Sequence, residues 1–345
     1  MPEYCNISTK SVLGCLTIRL LPGIGDAISQ KLVQAFDSIE GIQTAAQAKS
    51  LSGILRAVPA SLKSEISWEK ALVDAEGLLD KADKIGVRIL SQFDSEYPKL
   101  LKQIKDRPLV LYIKGVLSSG IRNVACVGTR NPTQFGIHQT QQIVEMLVRD
   151  QWSIISGLAF GIDAEAHRQA LASNGHTVAV LGNGLDLVYL RENRHLASKI
   201  LDGGGALISE QPFGVRALAH HLVRGCRLQS GLSAGTIVMQ TALDGGTMQT
   251  VRFTLMQGRK LFAQVPYGDH EHSPESKGTH AITGKTGPEL LEMLNVVAKD
   301  FSDLLRSDFM LRPPAYPIIH EQDYLLVRKS LSDFCGNIEG MKKDS

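Results

Sequence analysis

Two short stretches decide the fold: Val124-Ala125-Cys126-Val127-Gly128-Thr129-Arg130 and Ser153-Ile154-Ile155-Ser156-Gly157-Leu158-Ala159-Phe160-Gly161-Ile162-Asp163. Each opens as an apolar run of strand length and ends in a loop of small residues. Between them lies a segment with helical spacing. Two neighbouring parallel strands would each deliver such a loop at the carboxyl end, where open α/β sheets bind ligands. Loops of Gly, Ser and Thr with one Arg and one Asp suit an anion held by backbone N–H groups and a guanidinium.

Working outward, strands are expected at 124–128, 153–156, 177–181, 205–209, 235–239 and 260–264. Helices are expected at 136–150, 163–173, 193–202, 216–224, 247–257 and 288–305. Runs such as TVAVL and TIVM carry no polar alternation, which marks strands buried on both faces. Alternation of strand and helix gives the fold class: an α/β, extended Rossmann-like, doubly wound and mainly parallel sheet. A small helical domain precedes it. The divisions are 1–85 (helical), 86–285 (Rossmann-like) and 286–345 (a helical extension and tail).

In the first part, Leu20-Leu21-Pro22-Gly23-Ile24-Gly25-Asp26 separates two helical segments, 11–19 and 27–36. It reads either as the hairpin of a helix-hairpin-helix element, whose N–H groups face a DNA phosphate, or as a plain turn with Pro and Gly as breakers. The segment 86–92 reads as a short strand. The connector to the main domain lacks flexible composition, so the two parts are expected to pack together.

Composition sets wide bounds. The 345 residues carry a formal net charge of +2 and are 43% apolar, which is ordinary for a globular protein. No apolar run reaches the roughly 18 residues of a bilayer span, and the first residues lack a signal-peptide core. A cytoplasmic protein without membrane contact is expected. The five cysteines are scattered, so reduced thiols are expected rather than disulfides or zinc. GxxxxGK[ST], GxGxxG after the first strand, GxSxG and HExxH do not occur. No cofactor is expected.

Several constellations line up with the strand ends. Gly128-Thr129-Arg130 leads to Thr133, placed to cap the next helix. Asp163 sits at an expected N-cap, with His167 on the same helix face. A metal-dependent nuclease could use that Asp and His, but no second carboxylate cluster accompanies them. Gly182-Asn183-Gly184 and Glu192-Asn193 offer another wall. Glu210 ends the fourth strand of the alternating region. A basic run follows at Arg216, His220, His221, Arg224 and Arg227, then Ser230-Gly231-Leu232-Ser233. The run reads either as a contact for a sugar-phosphate backbone or as a solvated helix face.

In order and spacing these segments resemble the DNA-processing protein A (DprA/Smf) family. The matching pieces are VGTRNPTQFG (127–136), SGLAFGIDAEAH (156–167), TVAVLGNGLD (177–186), the Tyr189…Glu192-Asn193 step, GGALISEQPFG (204–214), SGLS (230–233) and GRKLFAQVP (258–266). The resemblance implies binding of single-stranded DNA without catalysis, a homodimer, and hand-over of DNA to a RecA-type recombinase during transformation. It places the DNA-contacting arginine on Arg130. The expected phosphate-binding set is Gly128, Thr129, Arg130, Thr133, Ser156, Gly157, Gly161, Asp163, Arg224, Arg227 and Ser230, with no metal and no catalytic residue.

The chain departs from the family pattern on one side. Gly225-Cys226-Arg227 replaces an Arg-Asn-Arg motif. Gln240 stands for a glutamate, Gly245-Gly246-Thr247-Met248 for SGS(L), and Pro266-Tyr267 for Pro-Gly. Such a member fits a specialised role such as phage defence. The alternative is a nucleotide-sensing or nucleotide-hydrolysing domain using the same pocket, with Glu210 and Asp163 as the carboxylates facing a ribose.

Overall fold

The computed structural model describes residues 6–118, 120–187, 191–267, 270–271, 273–294 and 297–340. Tyr189, named in the family resemblance, and Cys5, one of the five cysteines, lie outside the described residues. The chain opens with four helices, α1 (Val12–Leu20), α2 (Asp26–Ala35), α3 (Ile39–Gln47) and α4 (Glu65–Lys84). Ser11, Ser38 and Ser64 cap α1, α3 and α4 by accepting an N–H three residues on. The turn 21–25 between α1 and α2 has Gly23 at φ +78°, which only glycine adopts freely.

Nine strands then form one sheet: β1 (Val87–Ser91), β2 (Val110–Gly115), β3 (Asn123–Gly128), β4 (Ser153–Ser156), β5 (Thr177–Leu181), β6 (Ala206–Ser209), β7 (Gly235–Gln240), β8 (Lys260–Gln264) and β9 (Tyr316–Ile318). The spatial order is β1-β2-β6-β5-β4-β3-β7-β8-β9, with β1–β2 and β2–β6 antiparallel and the other pairs parallel. The chain runs outward from β3 to β6, then returns to lay β7, β8 and β9 on the other side of β3. That reversal makes the carboxyl ends of β3 and β7 the topological switch point.

The connecting helices are α5 (Gln134–Arg149), α6 (Ile162–Ala172), α7 (Arg194–Asp202), α8 (Ala219–Gly231), α9 (Thr247–Met256), α10 (Lys277–Gly284), α11 (Gly287–Met293), α12 (Lys299–Asp308) and α13 (Asp323–Gly340). Strand residues alternate between two cores. Val124, Cys126, Ile154, Ile237 and Phe262 pack with α5, α6 and α13. Ala125, Val127, Val238, Leu261 and Ala263 pack with α9 to α12, and Val178, Val180 and Ile208 pack with α8. This two-sided burial is why the strands read as unbroken apolar runs. Leu16, Leu32, Ile42 and Trp68 of the helical segment share one core with Val110, Tyr112 and Leu181 of the sheet. The two parts are joined by apolar packing, as the connector suggested.

Three expectations need correction. The helix expected at 216–224 begins at Ala219 and runs through to Gly231, because Leu228 is buried on the sheet and outweighs the helix penalty of Gly225. The helix expected at 288–305 is two helices, the first begun by a Thr286–Glu289 capping box with Pro288 in its first turn. The segment after 286 is not only helical: β9 adds a strand beside β8, and α13 covers β8 and β9. Among the described residues no helix is long and apolar enough to cross a membrane.

Candidate functional site

The loops after β3 and β4 lie side by side, since β3 and β4 pair in parallel with Val124 opposite Ile154. The loop after β4 is bound to the loop after β3. Ile162 N–H donates to the Thr129 carbonyl at 3.1 Å. Gly161 has φ +74°, and a Cβ there would lie 2.4 Å from the Thr129 carbonyl oxygen and 2.6 Å from Arg130 backbone atoms. Only glycine meets both demands. The loop is also held from the α7 side, where buried Asn193 donates from Nδ2 to the Leu158 carbonyl at 2.8 Å.

This close approach packs the Gly161 backbone, next to Phe160 in the chain, against the backbone of Arg130. Phe160 is 39% exposed although it is a large apolar side chain. Arg130 is exposed, and among the described residues no hydrogen bond or ion pair engages its guanidinium. Phe160 was missed by the motif reading, which treated it as a variable position inside SGLAFGID. Its exposure depends on how the loop folds back on its neighbour, which no spacing encodes.

Asp163 lies elsewhere than expected. The N-cap of α6 is Gly161, and Asp163 is the second residue of the helix, buried. Its carboxylate turns back beneath the loops and accepts the Gly157 N–H at 3.1 Å. The backbone of Ala159 and Gly128 also supports it. Burial pushes its carboxyl up to about 6, against these hydrogen bonds. The Gly128 and Gly157 N–H groups expected to hold a phosphate therefore serve an internal anion. A Cβ on Gly157 would meet both Asp163 Oδ2 and Gln229 Nε2 at 2.7 Å. Ser156, fully buried, donates to the Cys126 carbonyl at 2.6 Å.

His167 is likewise interior. Its Nδ1 is 2.7 Å from Thr177 Oγ1, and burial lowers its pKa to about 3. Among the described residues no group of His, Cys, Asp or Glu is arranged to hold a metal. Thr133 caps α5 as expected, accepting the Gly136 N–H at 3.2 Å. At the switch point Thr129 N–H donates to the Gln240 carbonyl at 2.7 Å. The Gln240 amide bridges Thr133 and Ser276. A carboxamide both donates and accepts, so it ties these partners together where a carboxylate could only accept.

The basic run behaves differently from Arg130. Arg227 is buried and pairs with Glu210 at 2.7 Å and Asp106 at 3.2 Å. Arg224, half-buried, donates to both oxygens of Glu210 at 2.9 and 3.1 Å and to Asp26 at the start of α2. Arg19 of α1 donates to the Glu210 carbonyl and pairs with Asp26. Burial alone would raise the Asp26 pKa, but Arg19 and Arg224 beside it hold it below the usual carboxylate range. The arginines expected to meet phosphate thus clamp the helical segment to the end of β6. Ser230 was also expected at the ligand; its hydroxyl instead meets Gln257 of the α9 end at 2.8 Å, inside the protein. Arg216 and His220, before and at the start of α8, stay exposed. The loop after β5 is fixed by Asp186, which pairs with Lys81 at 2.6 Å and accepts the Gly214 N–H.

Comparison with known proteins bears on this geometry. A family model described as DNA recombination-mediator protein A matches residues 88–301. Protein Smf of Escherichia coli (strain K12) is 41% identical over 210 residues, covering 58% of this chain and 55% of that protein. DNA processing protein DprA of Bacillus subtilis (strain 168) is 36% identical over 207 residues, covering 59% of this chain and 68% of that protein. The match thus spans just over half the length of the Escherichia coli relative. The X-ray structure of DNA processing protein A from Streptococcus pneumoniae superposes with a TM-score of 0.55 at 22% identity, covering 88% of this chain and 98% of that one. That likeness shows a shared fold.

Proposed function

This chain belongs to the DNA recombination-mediator protein A family, and from that premise we propose that it acts in DNA processing by binding single-stranded DNA along the carboxyl edge of its sheet. The observation that carries the reading is the pair Arg130 and Phe160. Among the described residues the exposed Arg130 guanidinium has no hydrogen-bond or ion-pair partner, and the neighbouring loop, bonded to the Arg130 loop through Ile162 and Thr129, carries an exposed aromatic ring. A single strand offers a phosphate for the first and a base face for the second. Thr129, Gly161 and the first turn of α6 shape the backbone around them, and exposed Arg216 adds positive charge in the loop after β6.

The family resemblance supports finer parts of the proposal: a homodimer in the cytoplasm, and delivery of the bound strand to a RecA-type recombinase in transformation or in phage defence. Nucleotide hydrolysis is the weaker reading. Glu210 and Asp163, its candidate carboxylates, are both buried and fully engaged with arginines or backbone N–H groups. The test is a titration of the purified chain with an oligothymidylate across a salt series. Arg130→Ala should weaken binding and flatten the slope of log K against log salt by about 0.7, the value of one single-strand phosphate contact. Unchanged affinity at low salt refutes the reading.

A further inference from the structure

Gln264 ends β8 and is 1% exposed, yet among the described residues neither its Oε1 nor its Nε2 has a hydrogen-bond partner. A buried carboxamide with both ends unpaired opposes folding, and native structures keep few of them. Gln264 lines a cavity of about 370 Å³ between α5 and the β9–α13 junction. Ile143, Met146 and Ile318 supply apolar walls. Tyr267 and His320 stand at the rim, their ring centroids 6.1 Å apart, and Tyr267 is 49% exposed. Arg149 at the rim is paired with Glu145 at 3.0 Å, so the opening offers no unpaired arginine for a phosphate.

We propose that this cavity is a nucleobase site in which the Gln264 carboxamide, its Oε1 and Nε2 each closed to solvent where they lie, turns into the cavity to read the base edge. The chemistry narrows the ligand. It must present a donor beside an acceptor, to satisfy both ends of one carboxamide. It must have flat faces that lie against Tyr267 or His320, and apolar area for Ile143 and Met146. A nucleobase has all three properties, and glutamine pairs bidentately with adenine. The volume suits one base or nucleoside rather than a strand. The site is separate from the Arg130 and Phe160 loops and stands whether or not those bind DNA.

The test uses adenosine, which carries no phosphate and so leaves Arg130 out of the measurement. Adenosine should bind the purified full chain in calorimetric titration. Gln264→Leu should weaken it at least about tenfold, the scale of one bidentate base contact, without lowering the thermal midpoint, because the two unpaired polar atoms are gone. Tyr267→Ala, at a half-exposed position, should weaken binding several-fold and decides the matter if Gln264→Leu does not fold. Arg130→Ala should leave adenosine affinity unchanged. An oligoadenylate that displaces adenosine assigns the site to a base of a bound strand; failure to displace assigns it to a free nucleoside. No adenosine binding at millimolar concentration, or equal binding by wild type, Gln264→Leu and Tyr267→Ala, overturns the proposal.

Discussion

Arg227 Nη2 lies 2.7 Å from Glu210 Oε2, with both side chains almost wholly removed from solvent at 6% and 3% exposure. Burying such a pair is tolerable because each charge is met: Arg227 also reaches Asp106, and Glu210 also receives Arg224. Removing one partner strands the other. Glu210→Ala should therefore destabilise the protein by about 3–5 kcal/mol, measured by urea unfolding. The double variant Glu210→Leu with Arg227→Met should cost less than Glu210→Ala alone, since it leaves no uncompensated guanidinium at 227. Equal losses would show that the pair is not coupled.

Asp163 and His167 give stability two opposing pH dependences within one turn of α6. The Asp163 pKa is raised from 3.8 to about 6, so its folded form holds a proton that the unfolded chain has lost. Its contribution to stability is greatest below pH 4 and falls as pH rises to 6. The His167 pKa is lowered from 6.5 to about 3, so the unfolded chain binds the extra proton and stability falls as pH drops below 6.5. Asp163→Asn should make acid destabilisation steeper between pH 4 and 6, and His167→Gln should make it shallower. Denaturant midpoints measured at half-unit pH steps check both signs; parallel curves for all three proteins would contradict the assignment.

Gly161 has a backbone that an L side chain rarely adopts, and no room for a Cβ beside the Thr129 carbonyl. Gly161→Ala should lose more than about 1 kcal/mol in thermal unfolding. The larger consequence is geometric: the loop must lift from Thr129, which shifts the loop that carries Phe160 relative to the loop that carries Arg130. Oligonucleotide affinity should fall further than stability alone explains, assayed well below the melting temperature.

Phe160 and Arg130 should fail in distinguishable ways. Phe160→Ala should cost about 1–3 kcal/mol of oligonucleotide affinity through lost stacking, with the salt slope kept. Arg130→Ala should reduce the slope. Arg130→Ala should not shift stability by more than about 0.5 kcal/mol, because that side chain is exposed. A salt slope altered by Phe160→Ala, or a large loss of stability in Arg130→Ala, would contradict the assigned roles.

Sequence by itself determined the alternating, mainly parallel core of the sheet, while β2, β9 and the spatial order of the strands came only from the tertiary structure. The six strands from Val124 to Gln264 were legible because each is buried on both faces and so reads as an unbroken apolar run. Thr133 as a helix cap was legible because capping is local chemistry. The helix from Ala219 to Gly231 was misjudged because burial of Leu228 against the sheet outweighs its internal glycine. What the tertiary structure decided was the partner of each charge. Asp163, Arg224 and Arg227 sit in the motifs where ligand contacts were expected, yet each is engaged within the protein. Asp26 is 198 positions from Arg224, and Asp106 and Glu210 come from different elements. Electrostatic and hydrogen-bond pairing depends on distance in space, which spacing along the chain does not carry. Of the cations in the expected contact set, the structure left Arg130 facing solvent, on a loop bonded to the one that carries the exposed Phe160.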